Sequence, residues 1–327
     1  MDCPSGTLPW DDTTLTTLRL RSRCGLSGPA QSDKWDTGTK LENDDELPAD
    51  SNTPALEPRY EEQFTAFVDF LGFSEASTDI DEETRLKVLA LLQSLTTLRS
   101  EFAATITENP GGGTSYAITP AISTFSDHIV VSYPLQPIAA KETQETIQVI
   151  LTLGQFQNLL AMVAAAALEI GFLIRGGATV GRLYHANGVV FGEALVEASS
   201  LEARTAIYPR VVLSNRITER WGASGYGMSK DFDGLYYVDY MNSMIAMAGM
   251  FKGDDDHERA VRVWFESVVP IISRNLTDLE WAGKLRELAK WTWFARKFRE
   301  AVEKFSAEYR DRVGISTKSI PWLAGRS

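Results

Sequence analysis

Phe67-Val68-Asp69-Phe70-Leu71-Gly72-Phe73 places one aspartate inside an apolar, β-branched and aromatic run. Such a run reads as a buried strand. Phe125-Ser126-Asp127-His128-Ile129-Val130-Val131 repeats the pattern, with Asp127 lying 58 residues after Asp69. A carboxylate in a buried strand is costly unless something pairs with it. Two of them, on strands able to lie side by side, are explained most simply by a shared divalent cation. Hard cations such as Mg²⁺ or Mn²⁺ take oxygen ligands, often one or two carboxylates plus substrate phosphates. The chemistry implied is phosphoryl or nucleotidyl transfer. The plain alternative is two unrelated polar residues at strand ends or turns. Gly72 tells against it, because a strand followed by a glycine turn and a helix exposes backbone N–H groups suited to phosphate.

Working outward, a strand is expected over 63–70. Asp81-Glu82-Glu83 then opens a helix, with acids where the helix dipole favours them. Val88, Leu91, Leu92, Leu95, Leu98 and Phe102 give that helix an apolar face. Asn109-Pro110-Gly111-Gly112-Gly113 reads as a loop, and no Gly-Lys-Ser/Thr follows to make it a phosphate-binding P-loop. A strand hairpin follows over 121–125 and 128–133, with Ser126-Asp127 at its tip. A helix spans 145–172. The glycine-rich stretch Arg175-Gly176-Gly177-Ala178-Thr179-Val180-Gly181-Arg182 is a strand. Asn187-Gly188 is a two-residue hairpin signal, with 189–192 as the return strand. A helix over 193–204 and strands over 210–214 and 235–240 complete this part. From Asp254 the pattern is helical, with aromatic and aliphatic residues from Trp281 to Tyr309 at spacings of three and four, expected as core or dimer contact. Asp254-Asp255-Asp256-His257 reads as a helix cap rather than a metal cluster. His128 reads as a strand histidine with a satisfied hydrogen bond rather than a base. The element order implies an α+β sandwich of ferredoxin-like type, an antiparallel or mixed sheet with helices, plus a C-terminal helical extension.

The chain has 327 residues, 44% of them hydrophobic, and a net charge of −12. That acidity argues against a nucleic-acid partner, but not against a small anionic substrate held by a metal. Residues 1–58 hold eleven Asp/Glu against five Lys/Arg and six of the thirteen prolines. They are expected to form a flexible acidic tail, leaving 59–253 as the catalytic domain and 254–327 as the helical extension. Cys3 and Cys24, the two cysteines, make no disulfide framework or zinc spacing. With no signal-peptide layout, a cytoplasmic protein is expected. The apolar run from Leu159 to Leu168 is too short for a bilayer span and reads as a buried core helix, so no membrane partner is expected.

The two aspartate motifs resemble the metal motifs of class III nucleotidyl cyclases. The block from Arg175-Gly176-Gly177 through Gly181, Val190-Phe191-Gly192-Glu193-Ala194-Leu195 and Leu201-Glu202 is similar to their later strand–strand–helix unit. The wording most resembles the pyrimidine cyclases of the bacterial Pycsar antiphage system. The resemblance covers about 60–214, and the stretch 231–240 shares it. It implies that Asp69 and Asp127 hold two divalent cations, Mn²⁺ or Mg²⁺. The Phe70 carbonyl would complete one metal site, and Leu71, Gly72 and Phe73 would form the turn that holds the triphosphate. It further implies a homodimer with active sites between protomers, and a cyclic nucleotide product that activates a separate antiviral effector.

Several positions depart from that pattern. Ser123 and Val189 stand where purine-using relatives carry the lysine and aspartate that read adenine. A base is selected by polar groups otherwise left unpaired, so a pyrimidine triphosphate is expected, UTP before CTP. Val196 and Ser200 stand where an asparagine and an arginine stabilise the transition state. Arg175, Arg182 or Arg204 would have to supply the missing charge, with Arg175 the one named for nucleotide binding. The competing readings are a catalytically silent cyclase-like module for nucleotide sensing or dimerisation, and another two-metal nucleotidyl transferase. A diguanylate cyclase relative is disfavoured, since the chain lacks a Gly-Gly-Asp/Glu-Glu-Phe hairpin.

Overall fold

The computed structural model of the protein describes residues 60–73, 82–97, 104–107, 115–135, 142–222, 227–248 and 256–321. The expected acidic tail, the 109–113 loop, Leu98, Phe102, Asp254 and Asp255 lie outside those residues.

β1 (Glu61–Leu71) is central. It pairs antiparallel with β5 (His128–Pro134) on one side and β6 (Leu173–Ala186) on the other. β4 (Ala121–Phe125) pairs with β5 across the Ser126-Asp127 turn, where Ser126 takes φ +55°. With α1 (Glu82–Thr97) and α2 (Glu142–Glu169), these four strands make a β-α-β-β-α-β unit in the order β4-β5-β1-β6. That is the ferredoxin-like arrangement expected from the sequence. β8 (Val211–Leu213) extends the sheet in parallel beside β6, followed by β10 (Tyr236–Val238) and β9 (Met228–Lys230). The fold is thus α+β with a mixed sheet. A separate two-stranded ribbon, β2 (Ala104–Thr107) with β3 (Ser115–Ile118), was not expected; its strands are four residues each, too short for a period-2 signal.

Strand alternation sorts the side chains into two faces. Phe64, Ala66, Val68 and Phe70 are buried with Ile129, Val131 and Tyr133 against α2, where Phe156 meets Phe64 edge-on at 4.9 Å. By length and composition α2 could cross a membrane. In the fold Leu153, Phe156, Leu160 and Leu168 are buried in the common core, as the apolar run from Leu159 predicts. The helix stops at Glu169 rather than 172, because Gly171 turns to φ +84°. The other sheet face carries Thr65, Phe67 and Asp69, and α3 (Glu193–Arg204) lies across it. Gly177 permits that approach, since a Cβ there would sit 2.3 Å from the Ala198 carbonyl oxygen. β7 (Val189–Phe191) pairs back onto β6 through Asn187-Gly188, both at positive φ as a type I′ turn requires.

Beyond β8 come α4 (Asn215–Trp221) and α5 (Met241–Met247), two short helices that the sequence reading leaves unassigned. The helical end is α6 (His257–Trp281), α7 (Leu285–Lys304) and α8 (Ala307–Val313). Asp256 caps α6, accepting the Arg259 N–H at 3.0 Å. Trp264, Phe265, Phe294, Phe298 and Val302 fuse these helices to the core. The aromatic stripe does not begin where expected. Trp281 is 89% exposed, because Gly283 at φ +66° ends α6 just after it and turns the chain. Arg210, fully buried, bonds Asp231 and Asp233, and the Asp231 carboxylate also accepts the Trp293 indole N–H at 2.8 Å. Tyr208, Tyr237 and Trp293 rings surround that guanidinium at 5.5–6.0 Å. Sheet edge and α7 are therefore tied by one buried charge network.

Candidate metal and nucleotide site

In-register pairing lays Phe125, His128, Asp69 and Arg175 in one row across β4, β5, β1 and β6. Side chains directly opposite on one face stand close enough to interact, so the register itself assembles the group. The Phe70 N–H donates to the Asp127 carbonyl at 3.1 Å and so stitches the end of β1 to the hairpin tip. Asp69 is 7% exposed. Its Oδ2 accepts the Arg175 Nε–H at 2.9 Å, and its Oδ1 lies 3.8 Å from His128 Nε2. His128 Nδ1 is 2.9 Å from Asp127 Oδ1. Donor atoms of Asp69, Asp127 and His128 all fall within 4.8 Å of one another, a group that could hold a metal ion.

Behind this row, Arg175 Nη2 reaches Glu202 Oε1 at 2.6 Å. Burial raises the Glu202 carboxyl above its ordinary value; the Arg175 charge opposes that shift and the Asp69 charge adds to it. Arg175 is thus held between Asp69 on the sheet and Glu202 on α3. Glu202 enters the sequence reading only as part of the Leu201-Glu202 match, with no role given to it, although a signal existed. Ala194, Ala198 and Glu202 form the buried stripe of α3 at four-residue spacing, and an acid on such a stripe calls for a partner. His128 sits at the start of β5 with Nδ1 facing Asp127 Oδ1, and its place opposite Asp69 brings it beside both aspartates.

Gly72 forms the turn after β1 at φ +98°, and Phe73 packs on Phe172 at 6.1 Å. Leu71 is part of β1 and partly buried. Ser123 Oγ lies 2.9 Å from His185 Nε2, whose Nδ1 is 2.8 Å from Ser132 Oγ. Val189 is exposed on β7. Val196 is 69% exposed on α3, and Ser200 is one turn further along. Arg182 is exposed, with its backbone N–H on Glu193 at 3.2 Å, and Arg204 is exposed in the last turn of α3. Among the described residues, Asp69, Asp127 and Arg175 come together, while Arg182 and Arg204 lie exposed at the surface.

No protein-family profile and no curated protein matches the sequence. Among solved structures, the adenylyl cyclase CyaB from P. aeruginosa is similar at 15% identity and a TM-score of 0.33, over 54% of this chain and 91% of that one. An adenylate/guanylate cyclase/hydrolase from Silicibacter pomeroyi is similar at 13% identity and a TM-score of 0.26, over 54% of this chain and 95% of that one. Superpositions this loose say nothing about chemistry; the side chains around Asp69 do.

Proposed function

We propose that this chain is a nucleotidyl cyclase of the class III type that converts a pyrimidine nucleoside triphosphate, UTP before CTP, to its 3′,5′-cyclic monophosphate and pyrophosphate. One observation carries the proposal: Asp69 and Asp127, far apart in sequence, meet at the end of β1 with unequal duties. Arg175 occupies Asp69 Oδ2 and leaves Oδ1 turned toward Asp127 and His128. A buried, partly neutralised carboxylate facing a second carboxylate fits divalent cations. Asp69, Asp127 and the Phe70 carbonyl would hold the cations, which when bound would supply Lewis-acid activation of the 3′-hydroxyl and charge neutralisation on the departing pyrophosphate. In the reaction the 3′-oxygen bonds the α-phosphorus, the bond from that phosphorus to the bridging oxygen breaks, and pyrophosphate leaves with the electron pair. The hydroxyl proton passes to solvent. The chain's own part is positioning: the Leu71-Gly72-Phe73 turn receives the triphosphate, and Ser123 with Val189 leaves the base site without the charged groups adenine recognition uses.

The same reading makes the protein a cytoplasmic homodimer whose product is a second messenger in antiphage defence. Residues 1–58 serve it as an acidic tail and 254–327 as a helical extension. A second reading, a silent nucleotide-sensing module, is favoured by Val196 and Ser200, which offer no charge to a transition state. Incubation with ATP, GTP, CTP and UTP plus Mn²⁺, with product masses read out, separates the two. Cyclic UMP or cyclic CMP is expected. Asp69→Ala and Asp127→Ala should each lower turnover by about two to three orders of magnitude, the scale of losing a preorganised charge at a reacting centre. A cyclic purine product would overturn the pyrimidine assignment, and undiminished turnover in either variant would overturn the metal assignment.

A further inference from the structure

We infer that His128 is a nitrogen ligand of the metal site and biases it toward a transition-metal dication over Mg²⁺. The inference deepens the proposed function and rests on its metal site. His128 faces Asp69 directly across the β1–β5 register. Its ring packs on Phe67 at 4.8 Å and on Phe125 at 5.9 Å, two rings that themselves meet at 6.0 Å, and these contacts use neither nitrogen. An ionised carboxylate can only accept, so Nδ1, 2.9 Å from Asp127 Oδ1, is assigned the ring proton. In the neutral ring that leaves the lone pair on Nε2, the nitrogen 3.8 Å from Asp69 Oδ1.

A carboxylate that fixes the tautomer of a histidine and turns its other nitrogen toward a metal is a recurrent way of building a metal ligand. Asp69 Oδ1 and His128 Nε2 then form a mixed oxygen–nitrogen pair. Mg²⁺ prefers oxygen and near-ideal octahedral geometry. First-row transition dications accept imidazole readily. A site that spends a preorganised position on a nitrogen therefore favours the latter.

The test uses the full-length protein, Mn²⁺ alone as the probe, and Mg²⁺ in competition. Pulsed EPR of bound Mn²⁺ should show coupling to a directly coordinated imidazole nitrogen. That coupling should disappear in His128→Gln and in His128→Ser. Of the other two histidines, His185 is engaged by Ser123 and Ser132 and His257 opens α6. Both variants should bind Mn²⁺ at least about tenfold more weakly, with Mg²⁺ affinity changed by less than roughly twofold. Bound Mn²⁺ without nitrogen coupling would overturn the inference. So would an equal loss of both metals, which would mean that His128 acts only by holding Asp127. Absence of any Mn²⁺ binding by the wild type would remove the metal site of the proposed function as well, so the two failures are distinguishable.

Discussion

At Gly177 a side chain would collide with the Ala198 carbonyl, the Leu201 Cβ and the Glu202 backbone nitrogen, all within 2.9 Å of the added carbon. Backbone cannot yield as a flexible side chain can. Gly177→Val is therefore expected to destabilise the protein by about 1–3 kcal/mol, read as a lowered urea midpoint with unchanged slope. The same close approach delivers Glu202 to Arg175, and through it orders Asp69. Glu202→Ala removes one of the two carboxylates paired with the partly buried Arg175 guanidinium and should cost about 1–3 kcal/mol, less than breaking a fully buried pair, checked by the same unfolding curves. The two aspartates stand out in the sequence because carboxylates are conspicuous in apolar strands. The role of Glu202 was not legible, because its stripe becomes visible only when the helix is known to bury Ala194 and Ala198. Arg175 was legible as a cation near the site, while its engagement by both Asp69 and Glu202 is a matter of register and helix packing.

Among the elements, those with a single strong period are the ones read correctly from sequence: β1, the β4–β5 hairpin, α3, and the Asn187-Gly188 hairpin. Short elements such as α4, α5 and β9 have seven residues or fewer, and tertiary contacts rather than propensity define them. Asp256 is a separable contribution at this scale. It begins α6 by accepting the Arg259 N–H, so Asp256→Ala should lower stability by about 1 kcal/mol, measurable as a small shift of the urea midpoint. Trp281 marks the opposite case: helical spacing placed it with the core stripe, but the Gly283 turn puts it on the surface.

For the whole molecule, the buried Arg210 network joins the β8–β10 edge to α7. Replacing the arginine takes from Asp231, itself almost fully buried, its nearest cation and leaves it the Trp293 N–H and the more distant Lys297 at 3.7 Å. Arg210→Leu should cost about 3–5 kcal/mol, seen as a large drop in the thermal midpoint. The network also has a pH signature. Burial alone would raise the Asp233 carboxyl, but the Arg210 hydrogen bond and charge outweigh it and hold the group below its ordinary value. A depressed carboxyl adds stability above its unfolded value and loses it as pH falls through the folded one. At the other end, burial pushes the Tyr133, Tyr237 and Tyr240 phenols well above theirs. A raised phenol supports the fold below its unfolded value near 10, and that support is lost as pH rises beyond it. Phenolate absorbance from these three should therefore grow only together with loss of helical circular dichroism in an alkaline titration. Ionisation of all ten tyrosines in a chain that keeps its helices would contradict it.

The sequence by itself determined the α+β class, the central buried strand and the hairpin that follows it, because alternation, turn residues and helical periods are local properties. It also exposed Asp69 and Asp127, since burying a charge is conspicuous wherever the strand ends up. Only the tertiary structure decided which groups share the site. Cross-strand register aligned Phe125, His128, Asp69 and Arg175, and the missing Cβ at Gly177 let Glu202 reach them. Register and close approach depend on contacts between segments distant in the chain, and no local pattern encodes those.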